Sequence, residues 1–290
     1  MNRGIASVTR PSPRILELAR WIYPQAAELI AMACKSGTMK TCLYQNHPEC
    51  EGVFCLIEQE HFIVGFLAFS KDMPDEDWRE ILKNQVENHL PDPPSSELCF
   101  TLYGRNPRAM QYVQSLGFRL DMHGLLMHRS GIEPPDMHDS GLEETGLVVE
   151  RINEFCELLD QSYADQNQAK GWKVDWHTSH ITATKEKLSA YEKNDSLRSY
   201  WKDEILVGVC LTSGPYLSDL AVHPRFQNQG YGSAILARCI RRLTVEKGMP
   251  EVRLRVPLEN EKAIQLYQHF GFVEAGCFAD HTYAPRKQAH

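Results

Sequence analysis

Apolar residues recur along this chain at two spacings, which predict helices and strands in alternating groups. A spacing of three and four residues is typical of helices, and alternation or short continuous apolar runs are typical of strands. The predicted helices lie within Ser12–Cys34, Asp75–Leu90, Leu147–Tyr163, Lys185–Glu192 and Ile235–Leu243. The predicted strands are Val53–Glu58, Phe62–Phe69, Leu98–Tyr103, Arg198–Trp201, Ile205–Thr212, Leu217–Val222, Val252–Val256 and one or two within Val273–Tyr283. This order indicates an α/β (α+β) fold built from mixed, twisted sheets flanked by helices.

One segment occurs twice. NPRAMQYVQSLGF begins at Asn106 and NEKAIQLYQHFGF begins at Asn260, 154 residues later without a gap. A repeat of that length predicts two copies of one domain. We place the first domain at 1–132, a linker rich in proline, glycine and acidic residues at 133–145, and the second domain at 146–290.

A glycine-containing loop follows the predicted strand that ends at Val222. Its sequence, QNQGYG, runs from Gln227 to Gly232 and opens a segment with helical spacing. Glycine lets the backbone turn tightly and lie close to a ligand, and the amides at a helix N-terminus favour a phosphate. The loop therefore predicts a pyrophosphate site, although it is neither the G-x-G-x-x-G fingerprint nor a phosphate loop with Gly-Lys-Ser/Thr.

This loop resembles the Gln/Arg-x-x-Gly-x-Gly/Ala signature of the GCN5-related N-acetyltransferases. The downstream stretch VRLRVPLENEKAIQLYQHFGF resembles the second motif of that family, a strand followed by Asn-x-x-Ala-x-x-x-Tyr and Gly-Phe. The resemblance implies two such domains and acetyl-coenzyme A as co-substrate. It implies coenzyme contacts at Leu220, Ala221, Val222, Gln227, Asn228, Gln229, Gly230, Tyr231, Gly232, Ser233, Asn260, Ala263 and Tyr267.

The resemblance also implies catalytic roles. Tyr267 occupies the position of the acid that protonates the departing thiolate, and its alternative role is that of an aromatic residue on a buried helix face. Asp219 is the candidate base, with a structural carboxylate as the alternative. His177 and Asp175, on the loop that borders the acceptor pocket in the family, are the next candidates, and His223 reads as a turn residue.

Asn260 and two tryptophans each have two possible interpretations. Asn260 either contacts the coenzyme or caps the following helix, where its side chain accepts from backbone amides. Trp172 and Trp176 either line the acceptor pocket or fold a long connection onto the domain.

The first copy lacks the features that carry this chemistry. Val113 stands where the second copy has Tyr267, and no Gly-x-Gly occurs between its strands. Tyr112 lies one helical step away, which is a rotation of about 100°, so we expect it to face elsewhere. The first copy is therefore predicted to be catalytically silent.

Composition narrows the class of protein. The chain has 290 residues, 42% hydrophobic and 24% charged, with a formal net charge of −7, which argues against a nucleic-acid binder. No signal peptide or membrane span is evident, which predicts a cytoplasmic protein without a membrane partner. Nine cysteines then predict reduced thiols. Cys42, His47, Cys50 and Cys55 lack the spacing of zinc modules, so no metal is expected.

The predicted function is transfer of an acetyl group from acetyl-coenzyme A to a primary amine by direct attack. The acceptor is a small-molecule amine or the amine of a peptide or protein, and the protein is a monomer or homodimer. The alternative is a non-catalytic protein that senses acyl-coenzyme A or binds other proteins, and a longer acyl group is a third possibility.

Overall fold

The computed structural model describes residues 5–47, 50–59, 62–71, 76–89, 97–131, 133, 135 and 140–284. The predicted loop Pro91–Ser96 and linker residues 134 and 136–139 lie outside them. The chain forms two compact units. Unit 1 comprises Met1–Met127, Val256–Glu261 and Glu274–His290, and unit 2 comprises His128–Arg255 and Lys262–Val273. The end of the chain thus belongs to unit 1, whereas the boundaries 1–132 and 146–290 follow the repeat along the sequence and stay a prediction.

Unit 1 contains a mixed sheet with helices on both faces. Its helices are α1 (Pro13–Ile22), α2 (Pro24–Ser36), α3 (Glu76–Asn88) and α4 (Pro107–Ser115). Its strands are β1 (Ile5–Ser7), β2 (Met39–His47), β3 (Cys50–Glu58), β4 (Phe62–Phe69), β5 (Glu97–Tyr103), β6 (Phe118–Ser130, the last three residues in unit 2) and, from the end of the chain, β12 (Val273–Tyr283, the first residue in unit 2). They are ordered β1-β2-β3-β4-β5-β12-β6.

Two hydrophobic clusters cover the faces of this sheet. Because successive strand side chains point to opposite faces, Phe54 and Leu56 of β3 join a cluster with α3 and α4, and Val53 and Cys55 join one with α1 and α2. Strand β12 contributes to both clusters. It pairs antiparallel with β5, from Phe278 opposite Tyr103 to Thr282 opposite Cys99.

The strands of unit 2 are also mixed in direction. Its strands are β7 (Glu143–Thr145), β8 (Leu197–Lys202), β9 (Ile205–Ser213), β10 (Tyr216–Val222) and β11 (Glu251–Pro257, the last two residues in unit 1), ordered β11-β10-β9-β8-β7. Its helices are α5 (Ile152–Ser162), α6 (Ala164–Ala169), α7 (Trp176–Ser179), α8 (Ile181–Lys193), α9 (Tyr231–Arg241) and α10 (Glu261–His269, the first residue in unit 1). Helices α5 and α8 pack on β9 through Phe155, Leu188 and Val209. The predicted mixed α/β fold is confirmed.

The repeat extends through the elements around the shared segment. Strands β4 and β10 begin 154 residues apart, and the bounds of β5 and β11, and of α4 and α10, are displaced by the same number. The two halves of the chain therefore use one order of strand, helix, strand and helix.

Strand β2 is not predicted by the apolar pattern. Its Gln45 is 1% exposed and accepts a hydrogen bond from Trp78 Nε1, so a polar side chain occupies a core position. The hydrogen-bonding partner of this buried side-chain amide lies 33 residues away in the chain, so local periodicity does not reveal it.

Candidate functional site

The site begins where β10 loses its pairing with β11. The parallel ladder joins Tyr216 to Arg253 and Leu217 to Leu254, and no further pair is recorded among the described residues. On its other edge β10 continues to pair with β9 as far as Val222, with a bulge between Leu217 and Asp219. A bulge of this kind bends a strand and re-aims its side chains.

The alternation of hydrogen bonds shows which main-chain groups face the opened edge. His223 N donates to Val207 O at 2.9 Å, so the pairs at Ala221 and Asp219, two and four residues before it, also bond to β9. The main-chain groups of Leu220 and Val222 therefore point away from β9. The structure thus brings Leu220 and Val222 to the open edge, whereas Ala221 bonds to β9 and places its side chain in the core.

The loop after β10 is fastened to the end of that strand. Gln227 Nε2 donates to Val222 O at 3.0 Å, and Gln229 Nε2 donates to Arg225 O at 2.8 Å. His223 Nδ1 accepts from Arg225 N in a 3-10 turn, as expected of a turn residue. Asn228 and Gly230 adopt left-handed backbone conformations with φ of 59° and 84°. Glycine adopts this conformation readily, which explains Gly230.

The start of α9 presents unpaired amides next to open space. The first helical bond runs from Ala234 N to Gly230 O, so the amides of Tyr231, Gly232 and Ser233 have no acceptor within the helix. A Cβ atom added to Gly232 would lie 3.8 Å from the nearest side chain, and one added to Gly230 would meet nothing within 4 Å. The N-terminus of α9 therefore has the amides and the room that a pyrophosphate requires.

The side chain of Tyr231 points away from this loop surface. It is 8% exposed, its hydroxyl accepts from Lys202 Nζ at 2.6 Å, and its ring packs edge-on against Phe226. Tyr231 thus contributes an amide to the loop and uses its side chain to anchor the loop to β8.

Tyr267 lies on α10, one helical turn after Ala263. Its half-buried ring packs edge-on against Phe272 at 5.7 Å. No described residue lies within hydrogen-bonding distance of its hydroxyl. Burial raises the pKa of Tyr267 well above its ordinary value, with smaller contributions from Cys210, Cys239 and Asp219. This phenol keeps its proton at neutral pH and has no competing acceptor.

Asp219 is half-buried on the face of β10 that it shares with Ala221, toward α5. The hydroxyl of Tyr163, which follows α5 directly, donates to Asp219 Oδ1 at 2.9 Å. Burial raises the pKa of Tyr163 well above its ordinary value, and the charge of Asp219 raises it further. Tyr267 also raises the pKa of Tyr163, as a smaller contribution. The sequence pattern missed Tyr163, whose only signal is its place at the end of a helix bordering the acceptor region.

His177 is the other predicted side chain near this group. Its amide donates to Asp160 Oδ1 at 2.9 Å, and its Nδ1 lies 3.1 Å from the fully buried Thr184 Oγ1. Burial lowers the pKa of His177, whereas the charges of Asp160 and Asp219 oppose that shift. Asp175 lies before α7, and its carboxylate accepts from Ser179 Oγ at 3.2 Å within that helix.

Trp172 and Trp176 are 36% and 41% exposed. Trp176 stacks on His180 and packs edge-on against His177. Neither indole belongs to the core beneath α5 and α8. Their role at an acceptor pocket stays a prediction.

The structure shows a helix-cap role for one of the two asparagines of the repeat. Asn106 Oδ1 accepts from Ala109 N at 3.0 Å, which is a helix cap. Asn260 N donates to Pro257 O at 3.0 Å, in the turn before α10. A coenzyme contact for Asn260 stays a prediction.

In unit 1 the strand that corresponds to β10 is β4, and it stays paired with its neighbour. Strands β4 and β5 pair without interruption from Phe62 opposite Glu97 to Leu67 opposite Leu102. Trp78 stands 154 residues before Gly232, is 0% exposed, and packs edge-on against Phe69 at 5.1 Å. An indole thus lies in the core where the second copy has a glycine on an open surface. Val113 is also fully buried, and the Tyr112 hydroxyl donates to Arg79 O on α3.

The described cysteines and helices bear on metal binding and membrane insertion. Cys42 and Cys55 face each other across β2 and β3 with their Sγ atoms 3.4 Å apart. Within the described ranges, no three His, Cys, Asp or Glu side chains form a group that could hold a metal ion. In the same part of the chain, no helix is long and apolar enough to cross a membrane.

Unit 2 thus combines parallel strands that part, a glycine loop and a following helix. A family model described as "Acetyltransferase (GNAT) domain" matches residues 197–274. Those residues therefore form a GCN5-related N-acetyltransferase domain, and the resemblance seen in the sequence is confirmed.

Solved structures share this fold over most of the chain. A GCN5-related N-acetyltransferase from Sphaerobacter thermophilus is 15% identical, with a TM-score of 0.54 over 97% of this chain and 96% of that one. A functionally unknown conserved protein from Staphylococcus epidermidis is 18% identical, with a TM-score of 0.51 over 79% and 89%. A Drosophila protein is 14% identical, with a TM-score of 0.51 over 85% and 80%. These likenesses establish the fold.

Proposed function

We propose that this protein binds acetyl-coenzyme A in unit 2 and transfers the acetyl group to a primary amine of a small molecule or a peptide. The observation that carries the proposal is the edge of β10 after Leu217, which leaves its partner strand and ends in a loop of open amides. The closed edge in unit 1 supports assigning the reaction to unit 2 alone.

The coenzyme contacts follow from the directions of the main-chain groups. The amides of Tyr231, Gly232 and Ser233 are suited to the pyrophosphate, because a helix N-terminus combines unpaired donors with the positive end of the dipole. The main-chain groups of Leu220 and the amide of Val222 are suited to the pantetheine arm, whereas the Val222 carbonyl already accepts from Gln227 and Ser162. A thioester held along β10 then lies beside Asp219, which accepts a hydrogen bond from Tyr163.

Asp219 is the proposed base. An alkyl ammonium has a pKa of about 10.4 and cannot attack until it loses a proton. The carboxylate takes that proton and releases it to solvent. The amine nitrogen then attacks the thioester carbon, so that a C–N bond forms and the C–S bond breaks without a covalent enzyme intermediate.

Tyr267 is the proposed partner of the departing sulfur. A thiol has a pKa of about 8.5, so the leaving thiolate is the weaker base of the two groups. Tyr267 therefore donates a hydrogen bond to the sulfur as charge develops. The second proton, which the attacking nitrogen loses as it becomes an amide, passes to the thiolate through solvent as the product leaves. Loss of such a donor typically costs about 10²- to 10³-fold in turnover in other enzymes.

Calorimetry with acetyl-coenzyme A, followed by an assay of coenzyme release with a panel of amines, tests the proposal. Gly232→Trp reproduces the residue found in unit 1 and should abolish binding, whereas Ala190→Trp places the same bulk on exposed α8 and should not. No binding by the unaltered protein refutes the proposal. Binding without release by any amine favours a sensor of acyl-coenzyme A.

A further inference from the structure

The hydrogen bond between Tyr163 and Asp219 joins two elements that are distant in the sequence. Tyr163 follows α5, and Asp219 lies just after the bulge of β10. The phenol donates to Oδ1 at 2.9 Å, and no described residue lies within hydrogen-bonding distance of Oδ2. One carboxylate oxygen is therefore occupied by the protein and the other is left for a ligand.

The direction of this hydrogen bond is fixed. Burial and the neighbouring carboxylate raise the pKa of Tyr163, so the phenol is protonated and acts only as a donor. A bond between a hydroxyl and an ionised carboxylate is stronger than one between neutral groups. Rotation of the carboxylate would break it, so the bond holds the side-chain orientation of Asp219.

We propose that Tyr163 is a positioning residue that turns Asp219 Oδ2 toward the acceptor, where this oxygen receives the cationic amine before transfer. The inference rests on the proposed function and adds that the acceptor binds as its ammonium form. An ammonium supplies the donors that Oδ2 lacks, which a neutral alcohol or a thiol does less well. Tyr163 acts through Asp219 and does not touch the reacting carbon.

Tyr163→Phe removes only the hydroxyl and provides the test. We expect the kcat/KM for the amine to fall about 10- to 100-fold, the range for losing a hydrogen bond to a charged group, with unchanged affinity for acetyl-coenzyme A. The acid limb of the kcat/KM profile should move to higher pH, because a carboxylate that loses a donor holds a proton more readily. Spermidine, tyramine and a lysine-containing peptide serve as probe amines.

Tyr191→Phe is the matched control. Tyr191 is a half-buried tyrosine on α8 whose hydroxyl makes no hydrogen bond with the described residues, so its loss should leave the pH profile unchanged. A second variant, Asp219→Asn, keeps an acceptor for Tyr163 and removes the charge. If Tyr163 acts through Asp219, the double variant has the kcat/KM of Asp219→Asn alone.

The outcomes separate this inference from the proposed function. Equal activity and pH profiles for Tyr163→Phe and Tyr191→Phe overturn the positioning role, as do independent losses in the double variant. A lower melting temperature with an unshifted pH profile also overturns it, because it marks a structural role. No coenzyme release by the unaltered protein with any probe amine overturns the proposed function, and the inference with it.

Discussion

Replacing Phe278 with alanine tests the assignment of the last strand to unit 1. Phe278 lies in the second repeat of the sequence. Its ring is nevertheless 0% exposed and packs with Ile22 and Phe66 of unit 1. The ring also contacts Tyr23 edge-on, with centroids 6.2 Å apart. The substitution therefore opens a cavity in the core beneath α1 and α2.

The expected loss follows from complete burial. Truncating a buried phenylalanine to alanine costs about 3–5 kcal/mol, because transfer energy and a cavity term add. At about 1.4 kcal/mol for each factor of ten, a loss near 4 kcal/mol raises the opening equilibrium of unit 1 about 10³-fold. Native-state hydrogen exchange reads this opening segment by segment.

Amides of β5 should exchange about 10³-fold faster in Phe278→Ala, whereas amides of β9 should keep their rates. Phe155→Ala is the matched control, because Phe155 is equally buried in the core of unit 2 and should give the reverse pattern. Faster exchange confined to β9 in Phe278→Ala would refute the assignment, since it would place this ring in the core of the second repeat.

Three further predictions address the site and the pH dependence. Tyr267→Phe should lower turnover about 10²-fold or more at nearly unchanged coenzyme affinity, measured by coenzyme release and calorimetry, and equal turnover contradicts the donor role. Gly230→Ala forces an alanine to a φ of 84°, so the melting temperature should fall by an amount equivalent to about 1–3 kcal/mol. Coenzyme affinity should fall at least tenfold, and an unchanged affinity contradicts the assignment of this loop to the coenzyme. Burial lowers the pKa of His281 below 6.5, so the unfolded chain takes up a proton first and stability falls as pH drops below 6.5. His281→Gln should reduce the difference in melting temperature between about pH 7.5 and 5.5, and an unchanged difference contradicts this assignment.

The sequence predicted the parts of the fold whose signal is local. Most of the longer helices and most strands follow from apolar spacing, whereas the short helices α6 and α7 were not predicted. The glycine loop was found from residues whose conformation is restricted by their own backbone. Gly230 illustrates this, because a left-handed φ favours glycine whatever surrounds it. The repeat was also visible, since a gapless displacement requires no knowledge of packing.

The remaining features depend on partners that are distant in the chain. The pattern of Val273–Tyr283 predicts a strand, but nothing in that segment specifies β5 as its neighbour. Tyr163 was missed for the same reason, because its role depends on a carboxylate 56 residues away. Apolar alternation likewise did not show which main-chain groups of Leu220, Ala221 and Val222 face the open edge, because that depends on the pairing of β10 with β9.

The two copies show that keeping a motif and keeping a site are separate matters. Both retain the segment from asparagine to glycine and phenylalanine, and in unit 1 Asn106 demonstrates a structural use for it, as a helix cap. The coenzyme site that we propose requires in addition a strand edge that opens and a helix N-terminus with unpaired amides. Unit 1 lacks both, because β4 and β5 pair continuously and Trp78 fills the position of Gly232.

Placing a glycine at position 78 would therefore remove a core side chain without parting the strands. Trp78→Gly should destabilise unit 1 by about 3–5 kcal/mol or more, measured by denaturant unfolding. It should create no second coenzyme site, measured by calorimetry. A second site in that variant would mean that the indole alone closes the edge and that strand pairing does not.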